Sequence, residues 1–187
     1  MKYFETIKCE DLEVFNLSYH KKRIQNTVGL NISLEEYIYP PSDKLLKCKV
    51  IYDDTGVIDI SYDSYVPKKI NNFKLVYDDD IIYNKKSINR IELDKLLEYK
   101  DDEDEIIIVK NGLLTDTLIA NIAIYYENGW ITPSLPLLEG TCRARLIDEA
   151  KIKEKDITVD MLKSSKKIAT LNAMVDFNEI IDFTIKD

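Results

Sequence analysis

The stretch "TDTLIANIAIYYENGWITPSLPLLEGTCR", residues 115–143, decides how the chain is read. "NIAIYY" and "WITP" flank Glu127-Asn128-Gly129, a turn signal between two apolar runs, which predicts a tight β-hairpin. Beyond it, "LLEGTCRARLIDEAK" reads as a loop entering a helix, with Gly140 and Thr141 at the helix start. A helix N-terminus presents unpaired N–H groups and a partial positive charge, so "EGTCR" can cradle a phosphate with Arg143 nearby. Taken alone, Gly-Thr before a helix also describes an ordinary cap. Asp116, five residues before Asn121, equally suits a turn in "LLTDT".

Upstream, "EIIIVKNGLLTD" is a buried β run turning at Asn111-Gly112, preceded by "IIYNKKSINRIELDKLLEYK", whose Ile91, Leu93, Leu96 and Leu97 partly share a helical face. Nearer the N-terminus, "YFETIKCE" and "LEVFNLSY" read as paired strands and "HKKRIQNTVGL" as a helix stopped near Gly29. "LKCKVIYDDTGVIDISYDSY" reads as a hairpin around Asp54-Thr55-Gly56, and "KKINNFKLVYDDD" as a lead out of the first lobe. The expected architecture is mixed, α+β with α/β character, in two lobes with a crevice between them: a small α+β lobe over residues 1–78 and a second lobe over 79–187.

The balance of 34 acidic against 26 basic residues, net charge −8, repels nucleic acid and anionic membrane surfaces. Cys9, Cys48 and Cys142 are odd in number and lack metal-ligand spacing, and the single histidine, His20, adds no partner set, so no metal site is expected and a reducing cytoplasm is. The longest apolar run, "LIANIAIYY", is interrupted by Asn121 and too short to span a bilayer. The acidic runs at 78–80 and 101–105 read as solvated loops.

In "NKKSINR", residues 84–90, Lys85 and Lys86 would point to opposite faces of an extended segment, so at most one reaches a given pocket. Four pieces then stand in order: Lys-x-x-Asn-Arg from Lys86, an acid-Thr-x-x-Ala-Asn-Ile segment from Asp116, Trp-x-Thr-Pro from Trp130, and Leu-x-Gly-x-x-Arg from Leu138. With "YFETIK" and "YHKKRI" ahead of them, this order resembles the fold-type IV pyridoxal phosphate enzymes, the class IV aminotransferases and 4-amino-4-deoxychorismate lyase.

The resemblance implies a fold of that type with a shortened N-terminal lobe, and pyridoxal 5′-phosphate as cofactor. It implies that Lys86 carries the cofactor and shuttles the Cα proton, with Lys85 a spare charge. Asp116 then stands where the family has a glutamate that keeps the pyridine nitrogen protonated, one methylene shorter than usual. The cofactor phosphate falls to Arg23 and to the backbone of Thr141 and Cys142, with a cysteine in place of the usual hydroxyl or methionine. Asn172 and Ala173, in "TLNAMVDF", match a second closing loop. His20 orders the helix entry.

The reaction implied is that of 4-amino-4-deoxychorismate lyase, releasing pyruvate and 4-aminobenzoate for folate synthesis. An aminotransferase acting on branched-chain or D-amino acids is the second reading, and a non-catalytic homologue the third. The family also implies a homodimer, a small-molecule substrate, and neither nucleic acid nor membrane as partner.

Overall fold

The structure, a computed structural model, describes residues 1–187 as two compact units. The first comprises Met1–Pro67 with Lys85–Asn89, the second Lys68–Asn84 with Arg90–Asp187. No helix is long and apolar enough to cross a membrane.

In the first unit, strands β1 (Tyr3–Glu10), β2 (Glu13–Val14), β3 (Leu46–Asp53) and β4 (Gly56–Ser64) form an antiparallel sheet in the order β2-β1-β3-β4, and helix α1 spans Leu17–Val28. Alternation sets the buried face: Tyr3, Glu5, Ile7 and Cys9 of β1 point inward, as do Leu46, Cys48, Val50 and Tyr52 of β3. These pack with Ile24 of α1 and Leu34. Helix α1 stops where expected, at Gly29, whose φ of 78° is the left-handed cap conformation and whose N–H reaches Gln25 O at 2.8 Å.

The strand expected over "LEVFNLSY" is cut to two residues. Asp11, Leu12 and Asn16 all take positive φ, and the chain has already turned into α1 at Leu17. Residues 85–89 return to this sheet: Tyr3 bridges Ser87, Phe4 N–H donates to Lys86 O at 2.9 Å, and Ile88 N–H donates to Lys2 O at 3.2 Å.

The second unit contains two sheets. Strands β5 (Asn72–Tyr77), β6 (Glu105–Lys110), β7 (Leu113–Leu114) and β13 (Thr184–Lys186) lie in the order β13-β5-β6-β7. Strands β8 (Asn121–Tyr126), β9 (Gly129–Pro133), β10 (Lys153–Lys155), β11 (Ile168–Asn172) and β12 (Asp176–Ile180) form the other, in the order β10-β9-β8-β11-β12. Helix α2 (Ile91–Lys95) runs on as a 3₁₀ turn to Tyr99, α3 covers Thr141–Asp148, and α4 Val159–Ser164.

Phe73, Leu75, Ile107, Val109 and Leu114 of one sheet meet Ile122, Ile124, Ile131, Ile168 and Ile180 of the other in a shared core. The opposite side chains of β6, Ile106 and Ile108, pack with Leu93 and Leu96, which is why "EIIIV" is apolar without alternation. Helix α3 lays Cys142 and Leu146 on Ala123, Ala169 and Leu171.

The observed division differs from a break between 78 and 79. "NNFKLVY" forms β5, paired in parallel with β6 and β13, and so belongs to the second unit, while 85–89 belongs to the first. The hairpin turn at residues 127–129 forms as expected, with Glu127 and Asn128 at φ 46° and 69°.

Candidate active site

The expected site residues fall in both units. In the first, Lys86 sits on the returning segment, half-buried, with Nζ 4.6 Å from the centre of the Phe4 ring. Lys85 goes the other way: its Nζ donates to Thr27 O at 2.8 Å and lies 5.8 Å from the Tyr3 ring. Tyr3 and Phe4 are successive residues of β1 and face opposite sides, so the two lysines part as the period of a strand requires.

Glu5, one residue beyond Phe4, points into the core and is fully buried. Its Oε2 is 2.6 Å from His20 Nδ1, its Oε1 accepts from Arg23 Nε at 2.9 Å, and a second Arg23 nitrogen pairs with Oε2. Burial would raise this carboxyl, but the Arg23 guanidinium and the His20 hydrogen bond outweigh it and hold Glu5 at about 2. His20 is pushed below its ordinary value, by burial first, with Arg23 and Lys86 adding repulsion against the opposing pull of Glu5. Its Nε2 is buried with no hydrogen-bond partner. Arg23 is therefore a fork whose orientation is set from beneath by Glu5. Spacing alone does not single out Glu5; the signal is an acid at an inward position of an alternating strand.

In the second unit, Asp116 follows β7 and is 4% exposed. Its Oδ1 accepts from Asn121 Nδ2 at 2.7 Å and its Oδ2 from Leu138 N–H at 2.8 Å. Burial dominates and raises this carboxyl to about 7, against the two hydrogen bonds and the field of Arg143. Thr141 and Cys142 open α3, capped by Gly140 in extended conformation, and both side chains are buried. The Cys142 thiol lies 3.2 Å from Asp176 O, and burial with the Asp176 carboxylate pushes it up to about 12, so it is an inert packing group at neutral pH. Arg143 donates to Pro133 O at 2.8 Å and to Glu154 at 2.6 Å, and its Nε is buried without a partner.

Asn172 ends β11 and Ala173 opens the turn to β12. Asn172 Oδ1 accepts the N–H groups of Met174 and Val175, at 2.9 and 3.0 Å, so this side chain builds the turn. Arg145 of α3 pairs with Asp176, and with the Cys142 contact this fastens the turn to the helix.

A mixed α/β architecture of this order is that of the fold-type IV aminotransferases, in a shortened form. The amino-transferase class IV model matches residues 64–180. An uncharacterised protein of Haemophilus influenzae is 31% identical over 182 residues, 91% of this chain and 96% of its own. The chain belongs to the class IV amino-transferase family. A candidate 4-amino-4-deoxychorismate lyase from Haemophilus somnus 129PT is similar in structure at a TM-score of 0.80 and 32% identity, over 92% of this chain and 96% of that one. The pyridoxal-phosphate-bound form of a hypothetical aminotransferase from Mycobacterium tuberculosis shares the fold, with a TM-score of 0.77 at 15% identity over 98% of this chain and 81% of that one.

Proposed function

We propose that this protein is a pyridoxal 5′-phosphate-dependent lyase that converts 4-amino-4-deoxychorismate to 4-aminobenzoate and pyruvate, a reaction of folate synthesis. The observation that carries the cofactor is Asp116, a buried carboxyl raised to about 7, which a protonated ring nitrogen would hold ionised. The donor set fits the rest of that group: a lysine amine at Lys86, a guanidinium at Arg23, and the free N–H groups at the start of α3. The similarity to the Haemophilus somnus candidate lyase over nearly the whole of both chains supports the reaction.

When bound, pyridoxal phosphate supplies an electron sink for the pair left when a bond at Cα breaks. The Lys86 amine would hold the cofactor, and its Nζ would take and return the Cα proton. The Asp116 carboxylate would keep the ring nitrogen protonated. Arg23, the backbone of Thr141 and Cys142, and the turn carrying Asn172 and Ala173 would hold the phosphate. The three free cysteines suit the reducing cytoplasm in which we place the protein, as a two-fold homodimer.

The test is the visible absorbance of purified protein with pyridoxal phosphate, before and after borohydride, followed by pyruvate release from 4-amino-4-deoxychorismate. A yellow band fixed by reduction in wild type and lost in Lys86→Ala, with pyruvate and 4-aminobenzoate formed in equal amounts, is expected. Amino transfer to a keto acid without pyruvate release would replace the lyase by an aminotransferase. No band in wild type would overturn the enzyme reading.

A further inference from the structure

The Asn of the Ala-Asn-Ile segment and the Gly of Leu-x-Gly-x-x-Arg have no part in the chemistry above, yet they meet. We infer that Asn121 is a positioning residue whose amide joins the Asp116 carboxylate to the 138–140 loop, and that Gly140 is glycine to leave room for it. This rests on the reading of Asp116 as the partner of the ring nitrogen.

The geometry is a closed set. Asn121 Nδ2 donates to Asp116 Oδ1 at 2.7 Å and to Leu138 O at 2.8 Å, while Leu138 N–H donates to Asp116 Oδ2 at 2.8 Å. Both protons of the Asn121 amide nitrogen are thus used, and turning the amide over would place oxygen against two acceptors. Backbone bonds hold the ends: Asp116 bridges Asn121, and Asp116 O accepts from Ile108 N–H at 2.8 Å.

Gly140 closes the arrangement from the other side. A Cβ built there would lie 1.9 Å from Asn121 Oδ1 and 3.1 Å from its Cγ. Its φ of −71° suits any residue, so the demand is for space and not for backbone freedom. Two residues separate Leu138, which grips the carboxylate, from Thr141, where α3 and its free N–H groups begin. The carboxylate and the helix start are therefore placed by one amide. Arg143, on α3, is the charged group whose field also reaches Asp116.

The experiment is the titration of Asp116 in the cofactor-free protein, read from its side-chain carboxyl ¹³C shift and assigned with Asp116→Asn. Asn121→Leu removes the donor and is expected to raise the midpoint by on the order of one pH unit. Gly140→Ala leaves every donor in the sequence but crowds the amide, and is expected to raise it in the same direction. Thr132→Val deletes another buried hydrogen bond, from Thr132 Oγ1 to Ile122 O at 2.7 Å, and should leave the midpoint in place. A folded Asn121→Leu with the wild-type midpoint would overturn the inference. If that variant does not fold, an unchanged midpoint in Gly140→Ala does so instead. Because no cofactor is present, these outcomes are separate from the absorbance experiment, whose failure would strike the reading of Asp116 and not its tie to Asn121.

Discussion

Two buried carboxyls, Glu5 and Asp116, respond to their surroundings in opposite directions, and each leaves a mark on stability. Glu5 is depressed to about 2 from an ordinary 4.5, so its contribution is complete above pH 4.5 and disappears as pH falls toward 2. That shift is worth about 3 kcal/mol at neutral pH. Asp116 is raised to about 7 from 3.8, so the folded state holds a proton that the unfolded state has lost, and stability declines as pH rises from about 4 to 7. Thermal unfolding of cofactor-free protein across pH 2–8 should show both limbs. Glu5→Gln should flatten the acid limb and cost about 3 kcal/mol or more at pH 7, because Arg23 and His20 lose their shared partner. Asp116→Asn should flatten the other. The roles proposed for Lys86, Arg23 and Asp116 come from the family resemblance of their motifs and not from spacing alone. The motif includes Asn121 but not its bonding, because its partner loop lies 17 residues away and spacing carries no record of which backbone a side-chain amide meets.

At the level of elements, local chemistry explains what could be read and what could not. The alternation of β1 and β3, the apolar run of β6 and the turns at Asn111-Gly112 and residues 127–129 follow from side-chain period and from residues that tolerate positive φ. The second expected strand pairs with β1 as expected but survives only as Glu13–Val14, because Asn16 takes positive φ and α1 begins at Leu17, a change that periodicity does not register. The turn at Asn172–Asp176 is a local device of the same kind. Asn172→Ala should remove the acceptor of two backbone N–H groups and cost about 1–2 kcal/mol in urea unfolding. The same variant should weaken pyridoxal phosphate binding, seen as a higher concentration for half-maximal absorbance.

Across the whole molecule, neither unit is one continuous stretch of chain. Strand β5 joins β6 and β13 in parallel, and parallel pairing requires a long connection that no local pattern announces. The segment 85–89 then leaves the second unit to complete the first. A chain that begins at residue 68 therefore lacks the strand to which this segment belongs. In that truncated protein the Ile88 amide, bonded to Lys2 O at 3.2 Å in the full chain, should exchange with deuterium at the rate of an unstructured peptide. Protection retained at Ile88 would contradict the pairing.

The doubled lysine has a consequence for mutation and inheritance. Tyr3 with Ser87, Phe4 with Lys86 O and Ile88 with Lys2 O hold the register of the returning segment. A slip of one residue reverses the faces and brings Lys85 to the position that Lys86 held, at the cost of its bond to Thr27 O. The gain of one codon in the preceding loop would have the same result. On the proposed reading of Lys86, a chain slipped in this way would present Lys85 in its place, and in that chain the double replacement Lys85→Ala with Lys86→Ala would remove both amines of the segment.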